Sequence, residues 1–514
     1  MKRILSIVLS IIVLLGVFSV ITYADNTPVG YKEFVFNAVY NMESNINLKK
    51  YNVKLDDVNN YLDFLYQQYP EFYYLHGING GSQTTDGKVI TLNIAYDRSL
   101  EQMLEERKFM EEETDKVINK IDDGWTQTQK ALYVHDWLVV NYMYDYRLFE
   151  GLGSENHDIL GFLRDKIGVC QSYAYTYMYI LHRLGMNAYY VISDTDCHAW
   201  NVVEIDGKWY HVDTTYDDPI LGHEYRYDYV GEVDHSKFLL SDSEIIADGY
   251  HDDFSIPKVE GIVCEKYSGN DFFKTATTSV YNIGEYWYYI DNSKNAGGLM
   301  RTKDFKNTER IKEIGYFYSG YNAYGWVRQD GAIYNRYFAG LYEYNGHLFF
   351  NDEENIYVYD THHDELKTLP IDRPNGKIYY GLNMDGKDIT YLASENSLWD
   401  GVIEGTYTLG VEILHLYTEW EVIKQPTQTE DGEKVKYCYF CGEIVERQSI
   451  PSLSAVVFGD ANGDGKVDTT DLASLKLFLA NIDKNIDAGG DLNSDGKVDT
   501  VDLAELKLKL AGIK

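Results

Sequence analysis

The sequence predicts a multidomain protein: an α+β domain carrying a cysteine, a histidine and an aspartate, an all-β tyrosine-rich repeat module, and a small all-α calcium-binding domain at the C-terminus. Three observations predict it. Residues 168–215 set Cys170 at the head of a helix-like run and follow it with a hairpin bearing His198 and Asp213. Residues 285–394 repeat short aromatic runs that end in turn residues. Residues 460–502 hold two copies of a loop with regularly spaced carboxylates.

At the N-terminus, Lys2 and Arg3 precede an apolar run over residues 4–21 and then Thr22-Tyr23-Ala24. Charged, apolar and small-residue regions in that order predict a signal peptide over 1–24, cleaved after Ala24. An uncleaved anchor is the alternative, because about 18 apolar residues can span a bilayer. The remainder is long enough for about three domains at roughly 150 residues each.

A net charge of −35 repels phosphate backbones and anionic lipid, which excludes nucleic acid as a partner. Five cysteines, at 170, 197, 264, 438 and 441, are too few and too uneven for a disulfide framework, so the fold must stand on packing. With 48 Tyr and only 8 Pro, the chain reads as extracellular, aromatic-rich β structure. Tyrosine suits half-wet faces because its ring packs while its hydroxyl stays solvated.

Residues 25–120 read as a helical or α+β elaboration. Apolar residues fall at helical spacing up to Pro70, KVITLNIAYD alternates like a strand, and 100–120 is a charged amphipathic helix with a solvated face. Residues 127–148 predict a helix with Leu132, Trp137, Leu138 and Val139 inward. His135 and Asp136 sit on it, and His135 reads as a packing residue.

Cys170 then opens a helix running to about Leu184, with Gly185 as its C-cap. A thiol at a helix N-terminus meets the positive end of the macrodipole and free backbone N–H groups, which favour the thiolate. In the hairpin, Asp206-Gly207 predicts a two-residue type I′ turn. Ile205 then faces Lys208, Trp200 faces Asp213, and His198 faces Thr215. His198 and Asp213 become diagonal neighbours on one face, roughly 7 Å apart in backbone. Cys197 falls on the other face and His211 on the same one, so His211 is a rival base.

GVC at 168–170, HAWN at 198–201 and KWYHVDTT at 208–215 resemble the transglutaminase-like core, a papain-related cysteine-enzyme fold. SKFLLSD at 236–242 is similar to its usual extension, giving a catalytic domain over 121–257. The resemblance implies Cys170 as nucleophile, His198 as general base and acid, and Asp213 as orienter of the imidazole. It implies acyl transfer through a thioester. The Cys170 N–H would supply one oxyanion donor, with Trp137, Gln171 and Trp200 as candidates for the second. Val169 departs from the acidic or polar residue that relatives often carry before the cysteine.

Residues 258–410 form the tyrosine-rich strand-and-turn array, similar to propeller-like surface modules but long enough for only three or four blades of roughly 40–45 residues. Its aromatic rings could contact polysaccharide, although core packing is the simpler reading. Residues 411–453 resemble small surface-protein β repeats that carry a CxxC pair. Only His415, Cys438 and Cys441 offer themselves to zinc, which wants four ligands, and Gln428 stands where relatives can carry another Cys. Zinc is therefore disfavoured against a disulfide or two free thiols.

DANGDGKVDTTD at 460–471 and DLNSDGKVDTVD at 491–502 follow the calcium-loop spacing, with Gly at position 6. The ligands are Asp460, Asn462, Asp464, Lys466 (backbone carbonyl), Asp468 and Asp471 in the first loop. Asp491, Asn493, Asp495, Lys497 (backbone carbonyl), Asp499 and Asp502 serve in the second. No helix is expected before either loop, and an apolar helix follows each. The duplicated half-motif over 459–512 resembles a dockerin. That implies two calcium ions, a cohesin partner on a scaffold protein, and an extracellular, cell-surface cellulosome location. In that family, loop positions 10 and 11 face the cohesin; here they are Thr469-Thr470 and Thr500-Val501.

Together these readings predict a secreted, cellulosome-associated, transglutaminase-like cysteine enzyme acting on protein or peptide amides. The alternatives are a cysteine peptidase or amidase on protein or cell-wall peptides, and an inactive polymer-binding adaptor.

Overall fold

The computed structural model describes residues 30–145, 147, 156–218, 231, 233–291, 297–314, 339–352, 354–394, 403–409, 418–427, 430–438, 442–452 and 457–513. The expected signal peptide at 1–24, and His415, Gln428 and Cys441 of the zinc reading, lie outside the described residues. No helix among the described residues is long and apolar enough to cross a membrane. The chain divides into two compact units, Met1–Leu414 and His415–Lys514.

The first unit opens with helices α1 (Gly30–Tyr40) and α2 (Leu55–Gln68) around a sheet of order β1-β3-β2. The strands are β1 (Asn45–Asn47), β2 (Leu75–Gln83) and β3 (Val89–Tyr96). Helix α2 stops before Pro70, whose ring pushes Tyr69 out of the helical region to φ −134°. Strand β3 is the alternating run read from sequence. Its partner β2 was hidden by three glycines. One is required there: at Gly81, φ is +155° and a Cβ would come within 2.3 Å of the Thr91 carbonyl oxygen.

Helix α3 (Leu100–Ile118) starts at a capping box of Ser99 and Gln102 and buries only Met103, Met110, Thr114 and Val117, leaving the rest of its charged surface solvated. Helix α4 (Gln127–Asn141) buries Leu132, Leu138 and Val139 as expected. Trp137 is only half-buried, with its ring against Tyr142. His135 and Asp136 are instead fully inside. The parallel pair β4 (Met143–Tyr144) and β5 (Ile167–Gly168) flanks α5 (Ile159–Asp165) and leads into α6 (Cys170–Arg183).

Next comes a sheet of order β6-β7-β8-β9: β6 (Ala188–Ser193), β7 (His198–Ile205), β8 (Lys208–Val212) and β9 (Phe238–Leu240). Asp206 and Gly207 have φ of +52° and +79°, the two positive values that a type I′ turn demands. Opposed pairs run from Ile205 and Lys208 to Asn201 and Val212, the register that the DG turn predicts. Helix α7 (Asp242–Ala247) follows, capped by Ser241.

After a single helical turn, α8 (Asn270–Phe273), come antiparallel meanders. The first comprises β10 (Tyr281–Ile283), β11 (Tyr286–Asp291), β12 (Gly298–Thr302) and β13 (Thr308–Glu313). The second comprises β14 (Leu341–Tyr344), β15 (His347–Asn351), β16 (Ile356–Asp360) and β17 (Glu365–Thr368). The third is β18 (Ile378–Asp385), β19 (Asp388–Ser394) and β20 (Ile403–Thr408).

Consecutive side chains on these strands point into different cores, which is why the aromatic runs lack polar alternation. Trp287 and Tyr289 of β11 belong to the core that also holds helix α6 and the hairpin, Trp287 against Trp125 and Tyr289 against Phe272, whereas Tyr288 and Ile290 belong to the core that holds Leu348 and Phe350 of β15. Phe349, between those two, joins Leu382 and Ile389 of the third meander.

The second unit holds a meander of β21 (Glu421–Lys424), β22 (Gly432–Tyr437) and β23 (Ile444–Ile450), and then helices α9 (Thr469–Leu479) and α10 (Thr500–Leu510). A 3-10 turn, Ala488–Gly490, leads into the second calcium-type loop; the sequence reading did not include it. The helices share a small core of Ala461, Leu475 and Leu506.

Candidate active site

Cys170 is the first residue of α6, and the start of that helix is built by close approach. The Val169 side chain has no capping oxygen. The Ser172 hydroxyl reaches back instead, accepting from Val169 N at 3.0 Å and donating to Val169 O at 2.7 Å. Gly168 makes room for it, since a Cβ there would stand 2.3 Å from Ser172 Oγ and 2.6 Å from a Phe162 ring carbon. Asn201 of β7 ties the hairpin to the helix, donating to the carbonyls of Ala174 at 3.0 Å and Tyr189 at 3.4 Å.

His198 Nε2 and Asp213 Oδ2 are 2.5 Å apart. Asp213 is fully buried. Its Oδ1 accepts from the backbone N–H groups of Thr215 and Tyr216, both at 3.0 Å, and its Oδ2 also accepts from the Tyr250 hydroxyl at 2.6 Å. Burial pushes the Asp213 carboxyl up, but His198, Tyr250 and the Tyr216 N–H outweigh it and hold the group below the usual carboxylate range. Burial opposes charge on the His198 ring, yet the Asp213 carboxylate, their hydrogen bond and the Cys170 sulfur raise it to about 10. With Nε2 taken by Asp213, Nδ1 is the nitrogen left to face the thiol. Tyr216, 57% exposed, sets its ring edge-on to His198 at 4.6 Å, while Trp200 stacks on the same imidazole at 5.7 Å.

Tyr250 and Asn201 are the supports that sequence reasoning missed. Asn201 lies within the HAWN motif and its role was readable only as a motif position. Tyr250 is 37 residues from Asp213 in a stretch with no motif.

The rival His211 is held elsewhere: Trp200 Nε1 donates to His211 Nδ1, and His211 Nε2 meets Asp242 Oδ1, both at 2.9 Å. That bond also uses the Trp200 N–H, which removes Trp200 as an oxyanion donor. Gln171 interacts with Tyr175. Cys197 sits in the β6–β7 turn with φ +49°, exposed, its thiol toward the Asp194 carbonyl at 3.5 Å.

In the second unit both calcium-type loops fold alike. Asp460 accepts from the N–H groups of Gly463, Asp464 and Gly465, and Asp491 from those of Asp495 and Gly496. Asn462 Oδ1 accepts from Asp464 N, and Asn493 Oδ1 from Asp495 N. Asp464 and Asp495 accept from the N–H groups of Lys466 and Lys497, while Asp468 and Asp499 cap α9 and α10. Asp471 and Asp502 are completely buried at the loop ends. Gly465 and Gly496, at position 6, have φ of +84° and +82°. An all-oxygen donor set around a glycine turn fits a hard cation such as calcium. Cys438 is buried.

Residues 115–214 match the family described as the transglutaminase-like superfamily, and residues 458–511 match the dockerin type I domain. No curated protein matches the chain. Among solved structures, a protein described as a TGase is 16% identical with a TM-score of 0.20, over 32% of this chain and 48% of its own. A candidate cysteine protease from Cytophaga hutchinsonii is 16% identical with a TM-score of 0.18, over 27% of this chain and 62% of its own. A candidate protease from Parabacteroides distasonis is 16% identical with a TM-score of 0.15, over 26% of this chain and 35% of its own. The chain thus spans less than two thirds of each of these proteins.

Proposed function

We propose that the chain is a secreted, scaffold-docked thiol acyltransferase of the transglutaminase type, with Cys170, His198 and Asp213 as its catalytic set. The observation that carries this reading is the 2.5 Å contact between His198 Nε2 and a buried Asp213, with the Cys170 sulfur among the groups that favour the imidazolium. Cys170 stands at the first position of α6, with the His198 ring positioned to exchange a proton with its sulfur.

The Cys170 sulfur attacks the carbonyl carbon of a carboxamide, and the oxygen takes up the negative charge beside the Cys170 N–H. Collapse breaks the C–N bond. His198 gives its Nδ1 proton to the departing nitrogen, which leaves as ammonia or an amine, and a thioester remains. A primary amine or water then attacks the thioester, His198 takes the incoming proton, and the sulfur is released. Asp213 and Tyr250 hold the ring in one orientation throughout. Amine attack gives a new amide bond; water gives deamidation or peptide cleavage.

The transglutaminase-like and dockerin matches lie on one chain, which supports an enzyme delivered to a cohesin-bearing scaffold. Asp460, Asn462, Asp464, the Lys466 carbonyl, Asp468 and Asp471 would hold one calcium ion, and the equivalent set from Asp491 to Asp502 a second. Bound calcium would supply the charge that lets the buried carboxylates pack. The two halves differ at the cohesin-facing positions. The Thr470 hydroxyl is engaged by Asp468 and Asn462, whereas Val501 is 50% exposed.

The test is incubation with a glutamine-containing protein and a labelled primary amine, with mass spectrometry of the products. Amine incorporation that vanishes in Cys170→Ala is expected. Deamidation or cleavage alone would reassign the acceptor to water, and unchanged activity in Cys170→Ala would overturn the assignment.

A further inference from the structure

Outside the Cys170 set, two groups of described side chains bring three ligand atoms within 4.8 Å of one another: His135, Asp136 and His235, and His211, Asp242 and Cys264. The reaction above uses neither. What holds the second nitrogen of each imidazole separates them.

A neutral imidazole that binds a cation through one nitrogen carries its proton on the other, so the other nitrogen must face an acceptor. The first group meets this condition twice. His135 Nε2 faces Asp217 Oδ2 at 3.1 Å, and His235 Nδ1 faces the Ala276 carbonyl at 3.0 Å. Their remaining nitrogens, His135 Nδ1 and His235 Nε2, each lie 2.9 Å from the same atom, Asp136 Oδ1. Asp136 is itself oriented, because its Oδ2 accepts from Val280 N at 2.7 Å. The second group fails the condition. The Trp200 indole can only donate, so His211 Nδ1 is an acceptor and the proton sits on Nε2, toward Asp242.

We propose that His135 Nδ1, Asp136 Oδ1 and His235 Nε2 bind one divalent transition-metal ion of the zinc class, a buried structural centre joining helix α4 to the segment that leads into β9, with Ala276 and Val280 hydrogen-bonded to its ligands. Two imidazole nitrogens and a carboxylate oxygen are a zinc-type donor set, and three protein donors leave a fourth position to water. The 2.9 Å separations are a few tenths of an ångström short of the roughly 3.3 Å edge of a tetrahedron with bonds of about 2.0 Å. Burial adds a reason. His135 and His235 are 0% and 1% exposed and Asp136 is 3%. All four nitrogens of the two rings face oxygen acceptors, and a divalent ion at the shared Asp136 oxygen would supply the positive charge that this buried cluster of acceptors calls for.

The experiment uses the untagged full chain, saturated with calcium so that the C-terminal loops do not compete, then given equimolar zinc or cobalt(II) and desalted. About one transition-metal equivalent per chain is expected by elemental mass spectrometry. The cobalt form should show a visible absorption band that disappears in His235→Gln and persists in His211→Gln. A wild-type chain that retains no stoichiometric metal, or an equivalent that survives His235→Gln, would overturn the site. If His235→Gln does not fold, zinc-edge X-ray absorption of the wild type decides. Nitrogen and oxygen neighbours at about 2.0 Å support the site, and a sulfur neighbour assigns the ion to a cysteine and refutes it.

Discussion

Trp200 Nε1 donates a 2.9 Å hydrogen bond to His211 Nδ1, and both side chains are buried to within 1%. Two rivals leave the catalytic reading together, because the indole N–H is spent and the imidazole is fixed with its only free lone pair occupied. His198 and His211 lie on one face of the hairpin but face different partners, Asp213 and Asp242.

The expected result is a split between two substitutions. His198→Gln should reduce kcat/KM by about 1000-fold or more. His211→Gln should leave it within several-fold while lowering stability by about 1–3 kcal/mol, the cost of stranding a buried donor. Steady-state kinetics with denaturant melts of both variants check this, and the reverse pattern would make His211 the base.

The pH profile should follow His198. Its raised value of about 10 means that the folded state keeps the ring proton through neutral pH. The stability this contributes is fully present below about 6.5, the unfolded value, and is lost as pH rises through 10. Activity that depends on the imidazolium should show an alkaline limb near pH 10. In Asp213→Asn that limb should move down toward 6.5, and a limb that stays in place would mean that another group controls it.

Glu71 should govern stability at mildly acidic pH. Burial raises its carboxyl to about 7 against smaller opposing effects of a backbone hydrogen bond, Arg107 and Arg183, and its Oε2 is buried without a hydrogen-bond partner. The folded state then binds a proton that the unfolded state has released. Stability should fall as pH rises from about 4.5 to 7, by up to about 3 kcal/mol. Glu71→Gln should flatten that slope in melts taken across the window.

Gly168→Ala tests how the thiol is positioned. The added carbon collides with Ser172 Oγ and the Phe162 ring, so the first turn of α6 must shift. A loss of about 1–3 kcal/mol in stability and at least about tenfold in kcat/KM is expected. Ser172→Ala in the same background should restore part of both by removing the hydroxyl.

Calcium removal should unfold the last helices. Only Ala461, Leu475 and Leu506 are fully buried in their shared core, while Asp471 and Asp502 are buried carboxylates. Without a cation those charges are costly to bury. Chelation should therefore abolish the circular dichroism of α9 and α10 in a chain cut to 457–514 and release any bound cohesin, with both returning on calcium addition.

Much of this was legible in the sequence, and the boundary of legibility is physical. The Asp206-Gly207 turn made the register legible from Ile205 and Lys208 to Asn201 and Val212, because a primed turn matches strand twist, and the His198–Asp213 contact lies just beyond that ladder. The calcium-type loops were legible because ligand spacing is local. Tyr250, and the contacts of His135 with Asp217 and of His235 with Asp136, were not, since they join residues 37, 82 and 99 positions apart through packing that no periodicity encodes. Strand β2 was missed because glycines that permit close strand approach also erase the hydrophobic alternation.

The two faces of strand β11 carry a last consequence. Trp287 and Tyr289 complete the core around α6, while Tyr288 and Ile290 complete the next. A fragment ending at 257 would lose Tyr267 and Phe273, which cover Tyr210 of the hairpin and Phe238 of β9, so excising the thiol-bearing segment at that point should yield an aggregating polypeptide. Calorimetry of residues 25–414 should show one endotherm, with the hairpin and the first meander melting as a single cooperative block.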